Sequence, residues 1–122
     1  MDLDLYSTVG DDGIARVTAA FYDAVRRDEL LAPMYPEDDW AGAEQRLRDF
    51  LVGRFGGPQR YVEQRGHPRL RMRHARFAID AAARDRWFEL MGAAIDAADL
   101  PPDVAERMRD FLGQTATFLI NR

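Results

Sequence analysis

Several residue types are scarce or missing, and each gap removes a class of chemistry. The chain of 122 residues has no cysteine. That excludes thiol catalysis, cysteine-ligated zinc and iron–sulfur clusters, leaves no disulfide to staple the fold, and fits a reducing cytoplasm. Lysine is absent too, so all 17 basic residues are arginine. Ser7 is the only serine, and with no histidine motif beside it a hydrolase triad is not expected. The two histidines, His67 and His74, are too few for a zinc centre, which takes three protein ligands or a His-Glu-x-x-His pair. No apolar run approaches the roughly 18 residues that a membrane span requires. The acidic start, Met1-Asp2-Leu3-Asp4-Leu5, lacks the basic-then-apolar order of a secretory leader. A net charge of −4 argues against general affinity for nucleic acid. The expectation is a cytoplasmic protein with neither a nucleic-acid nor a membrane partner.

What is present is helical periodicity over nearly the whole chain, with no convincing alternating strand. The length suits one all-α domain over residues 1–122. After Gly10-Asp11-Asp12-Gly13, with Asp11 or Asp12 as cap, a long helix carries Ile14, Val17, Phe21 and Val25 on one stripe, with Thr18 and Tyr22 beside it. A short helical piece around Asp28–Leu31 is expected to stop before Pro33. The next helix, with Asp38 or Asp39 where a cap belongs, places Ala43, Leu47, Phe50, Leu51 and Arg54 on one face. Gly56-Gly57-Pro58 ends it. A less regular stretch leads to Gly66-His67-Pro68, which is expected to open a short helix with Leu70 and His74 one turn apart. Phe77 and Ile79 lead into a long helix with Trp87, Leu90, Met91 and Ala94 inward. After Pro101-Pro102 a last helix presents Val104, Met108, Phe111, Leu112, Thr115 and Phe118.

Paired carboxylates at Asp11-Asp12 and Asp38-Asp39 precede helices, where capping explains them better than acid–base catalysis. Gly56-Gly57 lacks the lysine and spacing of a phosphate loop. His67 sits in Gly-His-Pro turn chemistry. His74 lies on a helix turn flanked by Arg71, Arg73 and Arg76, with Phe77 and Ile79 just beyond. A single imidazole suffices for haem iron, because the porphyrin supplies four nitrogens. Haem also brings two carboxylates and an apolar plate, which match clustered arginines beside apolar helix faces. Arginines 60, 65, 69, 71, 73 and 76 crowd one segment in which Glu63 is the only acid. A cofactor-free helical module that binds an acidic partner through Arg60–Arg76 therefore stays open as an alternative.

Tyr35-Pro36-Glu37-Asp38-Asp39, Ala41-Gly42-Ala43-Glu44 with Arg46-Leu47, Gly56-Gly57-Pro58, the block from Arg65 to His74, and Trp87 together resemble the signature of group II truncated haemoglobins. The resemblance runs from about Tyr6 to the C-terminus. It departs at Gly10-Asp11-Asp12-Gly13, at Trp40 and at Arg54-Phe55. It implies a two-over-two helical sandwich around haem b, with His74 as the proximal iron ligand and its second ring N–H held by the Leu70 carbonyl. Tyr22, Tyr35 and Trp87 would be the distal groups that stabilise a ligand. Ala43 would stand where globins often place a distal histidine, with Leu47 one turn on. Leu70 and Phe77 would line the pocket. Arg71 is the first choice for a haem propionate, followed by Arg46, Tyr61 and His67.

The implied activity is binding of dioxygen, carbon monoxide and nitric oxide, for sensing, scavenging or redox chemistry rather than bulk oxygen transport. Nitric-oxide dioxygenase or weak peroxidase turnover would require a separate reductase, since the chain has no room for a flavin or nicotinamide domain. A monomer and a homodimer are both compatible with the sequence.

Overall fold

Gly10 shapes the way the chain begins. The computed structural model describes residues 5–122, and its first helix, α1, spans Tyr6–Val25 rather than starting after Gly13. The helix passes through Gly10 at φ 65°, ψ −175°, a kink in the positive-φ region that favours glycine. Asp11 caps nothing; its carboxylate pairs with Arg60 at 3.0 Å. Two helical pieces therefore meet at Gly10, the longer one running on from Asp11, and the expected aspartate cap is replaced by a long-range ion pair. The stripe itself is as expected: Ile14, Val17, Thr18, Phe21, Tyr22 and Val25 are all buried.

Residues 28–31 form turns, not a helix, and the short 3-10 helix that follows, Ala32–Met34, contains Pro33. Proline fits there because its fixed φ and missing N–H cost nothing in a first turn. Helix α2 spans Trp40–Arg54. Asp39 occupies the cap position but makes no side-chain cap bond, because its carboxylate accepts from Arg46 at 3.0 Å. Ala43 and Leu51 are buried, whereas Leu47 and Phe50 are only partly covered and Arg54 is exposed. The Arg54 guanidinium lies over the Phe111 ring, 4.8 Å from its centroid.

The chain leaves α2 through Gly56 at φ 103°. A Cβ on Gly57 would meet Tyr6 and Val52 at 2.8 Å, so this exit demands small residues. The stretch expected to be irregular is helical over Arg60–Arg65, α3. Helix α4 is only Leu70–His74; Pro68 lies before it, and Arg69, in left-handed conformation at φ 45°, takes the cap position instead. Helix α5 spans Ala81–Ala97, with Asp80 capping the Ala83 amide at 2.8 Å. Helix α6 spans Pro102–Phe118 with Pro102 in its first turn. Its apolar face buries Val104, Met108, Leu112 and Ala116. Phe118, assigned to that face from its spacing, is exposed because the helix runs past the core.

Helices α1 and α2 pack together, as do α5 and α6, and α1 rests on α5. This is the two-over-two sandwich. Phe21, Ile14, Leu51, Met91, Ile95, Met108 and Phe55 fill its centre with essentially no exposure. Helix α3 packs mainly on α2 and reaches α1 through the Arg60–Asp11 pair, and α4 contributes no buried residue. No helix among the described residues is long and apolar enough to cross a membrane.

Candidate functional site

Two groups of side chains are built very differently. The first is an aromatic cluster contributed by α1, α2, α5 and the 3-10 turn. Phe21 stacks edge-on against Tyr22 and Trp87, each at 5.1 Å. Tyr22 meets Tyr35 at 5.7 Å and Trp40 at 6.4 Å. Trp40 lies stacked on Tyr35 at 5.2 Å and receives Arg26 on its face. The residue that departed from the family pattern is thus part of the cluster.

Within it, the Tyr22 and Tyr35 hydroxyls share a hydrogen bond, and the Trp87 indole, whose N–H can only donate, gives one to Tyr35. Burial pushes both phenols up from their ordinary acidity, and for Tyr22 the neighbouring Tyr35 adds to the effect. Both therefore stay protonated at neutral pH and can act as O–H donors.

The cluster is anchored from outside by Asp28, whose side chain is buried. Its Oδ2 accepts from the Leu30 and Leu31 amides at 3.2 and 3.0 Å, which shapes the turn leading to Tyr35. Its Oδ1 takes Arg86, the neighbour of Trp87 in sequence, at 2.5 Å. Burial works against the Asp28 charge, but the hydrogen bonds from Arg86 and the turn amides outweigh it and hold the carboxyl below the usual range. Two of the three expected distal residues are thereby tied to one carboxylate. Neither Asp28 nor Arg86 stood out in the sequence. An Asp followed two and three residues later by the amides it caps is a readable turn signal, but its arginine lies 58 positions away.

The second group surrounds His74. Its Nδ1 lies 2.7 Å from the Leu70 carbonyl. A carbonyl can only accept, so Nδ1 carries the hydrogen, and in the neutral ring the lone pair then belongs to Nε2. Phe77 approaches the imidazole edge-on at 6.4 Å. The short helix is strapped from both ends. Arg73 donates to the carbonyls of Pro68 at 2.8 Å and Arg65 at 2.9 Å. Asn121, near the C-terminus, donates to the His74 carbonyl at 3.2 Å and accepts from the Ile79 amide at 3.0 Å. Neither strap was foreseen.

Sequence and shape decide the family at this point. The bacterial-like globin family matches residues 4–121. Group 2 truncated hemoglobin YjbI of Bacillus subtilis is 32% identical over 96% of this chain and 88% of its own. A thermostable hemoglobin from the actinobacterium Thermobifida fusca superposes with a TM-score of 0.93, at 44% identity over 96% of both chains. The truncated oxygen-avid haemoglobin from Bacillus subtilis does so with a TM-score of 0.91, at 32% identity over 95% of this chain and 98% of that one. The chain belongs to the bacterial-like globin family, among the group II truncated haemoglobins.

A globin implies haem, and the donor set fits it. His74 offers one neutral imidazole nitrogen. Leu47, Phe50, Leu70 and Phe77 are partly covered by the rest of the chain, which leaves apolar surface for a flat ligand to cover. Among the described residues no group of three histidines, cysteines or carboxylates could hold a metal without a porphyrin. Of the residues expected near the propionates, Arg71 is exposed with its guanidinium 5.2 Å from the Phe118 ring centroid. Arg46 is engaged by Asp39, Tyr61 is buried against Phe50 at 5.8 Å, and His67 is exposed.

Proposed function

We propose that this globin holds haem b through His74 Nε2 and captures dioxygen, carbon monoxide or nitric oxide beside Tyr22, Tyr35 and Trp87. The observation that carries the reading is the His74–Leu70 hydrogen bond at 2.7 Å, which fixes the tautomer in which Nε2 is free to ligate. A partner on the second ring nitrogen orients a ligating imidazole and raises its basicity. Haem b, when bound, supplies an iron that takes diatomic ligands and lends them electron density. Everything else falls to the chain. Leu47, Leu70 and Phe77 would cover the apolar plate, and Arg71, which meets no carboxylate among the described residues and lies one turn before His74, would meet a propionate. Arg46, Tyr61 and His67 follow as lesser contacts.

The Tyr22 and Tyr35 hydroxyls and the Trp87 indole meet at one place. A negatively polarised ligand would receive hydrogen bonds from these O–H and N–H donors. A hydrogen bond to a charged partner contributes about 1.5–3 kcal/mol, so losing one such donor is expected to speed dioxygen release about tenfold or more. Slow release suits sensing, scavenging or redox chemistry better than bulk delivery, and the oxygen-avid relative from Bacillus subtilis supports that direction. Turnover as a nitric-oxide dioxygenase or peroxidase would draw electrons from a separate reductase.

The test is the visible spectrum after haem addition, dithionite and carbon monoxide. Stoichiometric bands of a histidine-ligated carbonyl complex, lost in His74→Ala, are expected. Identical spectra for wild type and His74→Ala, or no stoichiometric uptake, would overturn the proposal. Faster dioxygen release in Tyr22→Phe and Trp87→Phe checks the distal assignment separately, and unchanged rates in both would remove it.

A further inference from the structure

The segment from Arg60 to Arg76 carries six arginines and one acid in a protein of net charge −4. Outside the segment Arg27, Arg46, Arg84, Arg86 and Arg109 each meet a carboxylate. Within it, among the described residues, only Arg60 does. Arg73 is spent on backbone carbonyls. Arg65, Arg69, Arg71 and Arg76 are exposed and meet no carboxylate among the described residues. Arg65 and Arg76 instead lie over their neighbours Tyr61 and Phe77.

A second observation falls on the same surface. Four large apolar side chains are exposed among the described residues, and three of them belong here: Val62 at 41%, Met72 at 60% and Phe118 at 56%. Phe118 joins the group through its contact with Arg71. Exposed arginines and exposed apolar groups on the same short helices are the composition of a surface that meets an acidic protein briefly, guided by charge. Its position gives it a purpose, because α4 carries both Met72 and His74.

We infer that the α3–α4 face docks an acidic one-electron carrier protein, which reduces the haem iron of this globin from ferric to ferrous. The inference rests on the haem reading above. One electron leaves the carrier's flavin or iron–sulfur centre and reaches the iron; no bond between the proteins forms or breaks. Arg65, Arg69 and Arg76 steer the encounter, and Met72 makes the central contact. Complexes of this kind bury little surface and dissociate readily, which suits a patch without a groove. Arg71 is set apart because it is the first candidate for a haem propionate.

The test uses the haem-loaded globin in its ferric form, mixed without oxygen with reduced flavodoxin, an acidic flavoprotein, in the presence of carbon monoxide. The wild-type second-order rate is expected to fall steeply as salt rises, since screening shortens the reach of the charges to about 10 Å at 0.1 M. The triple variant Arg65→Glu/Arg69→Glu/Arg76→Glu should react at least about tenfold more slowly at low salt. It should also lose wild-type binding to oxidised flavodoxin measured by calorimetry. Its carbonyl spectrum, haem retention against apomyoglobin and reduction by dithionite should match wild type.

Equal rates with equal salt dependence would overturn the inference. Faster loss of haem from the variant would also overturn it, by showing that these arginines hold the propionates. So would retention of wild type, but not the variant, on duplex DNA with the flavodoxin rate unmoved. Failure of wild type to take up haem would instead sink the function proposed above, and this inference with it.

Discussion

Around Tyr22 the chain is held by aromatic rings packed on one another, edge to face or stacked, across three helices, whereas around His74 it is held by hydrogen bonds to carbonyls at the ends of a five-residue helix. Phe21, Tyr22, Tyr35, Trp40 and Trp87 form one continuous set of contacts, each pair contributing about 0.5–1.5 kcal/mol beyond its burial. Helix α4 buries none of its own side chains and depends on Arg73 and Asn121. A helix that short has no intrinsic stability in water. The contrast shows how one small fold can pack its aromatic cluster tightly while leaving the histidine arm largely uncovered.

The comparison breaks if removing core from the aromatic side costs no more than removing side chains from the arm. Phe21→Ala deletes a fully buried ring and is expected to cost about 3–5 kcal/mol in chemical denaturation, the largest effect here. Asp28→Ala comes next, at about 1–3 kcal/mol, because two turn amides lose their acceptor. Its pH dependence has a definite sign. The Asp28 carboxyl is held below its usual range in the folded protein, so its stabilisation is complete above the unfolded value near pH 4. It disappears as pH falls through the folded value. The melting-temperature gap between wild type and Asp28→Asn should accordingly stay level from about pH 5 to 7 and close in stronger acid; a gap that persists unchanged at pH 2 would remove the ion pair as its cause.

Asn121→Ala sharpens the other side of the contrast. A global loss of only about 1 kcal/mol is expected, with the α4 amides and Ile79 exchanging hydrogen faster than the α1 and α5 amides do. Uniform acceleration across all helices would mean that the arm is no separate unit. Met72→Ala should be smallest, within about 0.5 kcal/mol, since the side chain is mostly in solvent.

The sequence carried much of this, unevenly. The stripe from Ile14 to Val25, the pairing of Leu70 with His74, and the inward positions Met91, Ala94, Met108 and Leu112 follow from helical spacing, and all keep those places in the structure. Caps were less legible. Asp11 and Asp39 have the right chemistry at the right positions, yet each turns to an arginine, because a guanidinium in reach competes with the backbone for the same oxygens. Phe118 keeps the helical period but outlasts the core it would face. Trp40 could be seen only as a departure from a pattern until Tyr35 was found stacked on it.

By itself, the sequence determined the helical class and most of the buried stripes, since periodicity is a local property, while the roles expected of His74 and of the aromatic residues came from a resemblance that spans the chain. Only the tertiary structure decided which groups meet. Asp28 with Arg86, Asn121 with His74, and Trp87 with Tyr35 join residues far apart in the chain. Such pairings arise when packed helices bring their side chains within the roughly 3 Å of a hydrogen bond, a distance that no local pattern encodes.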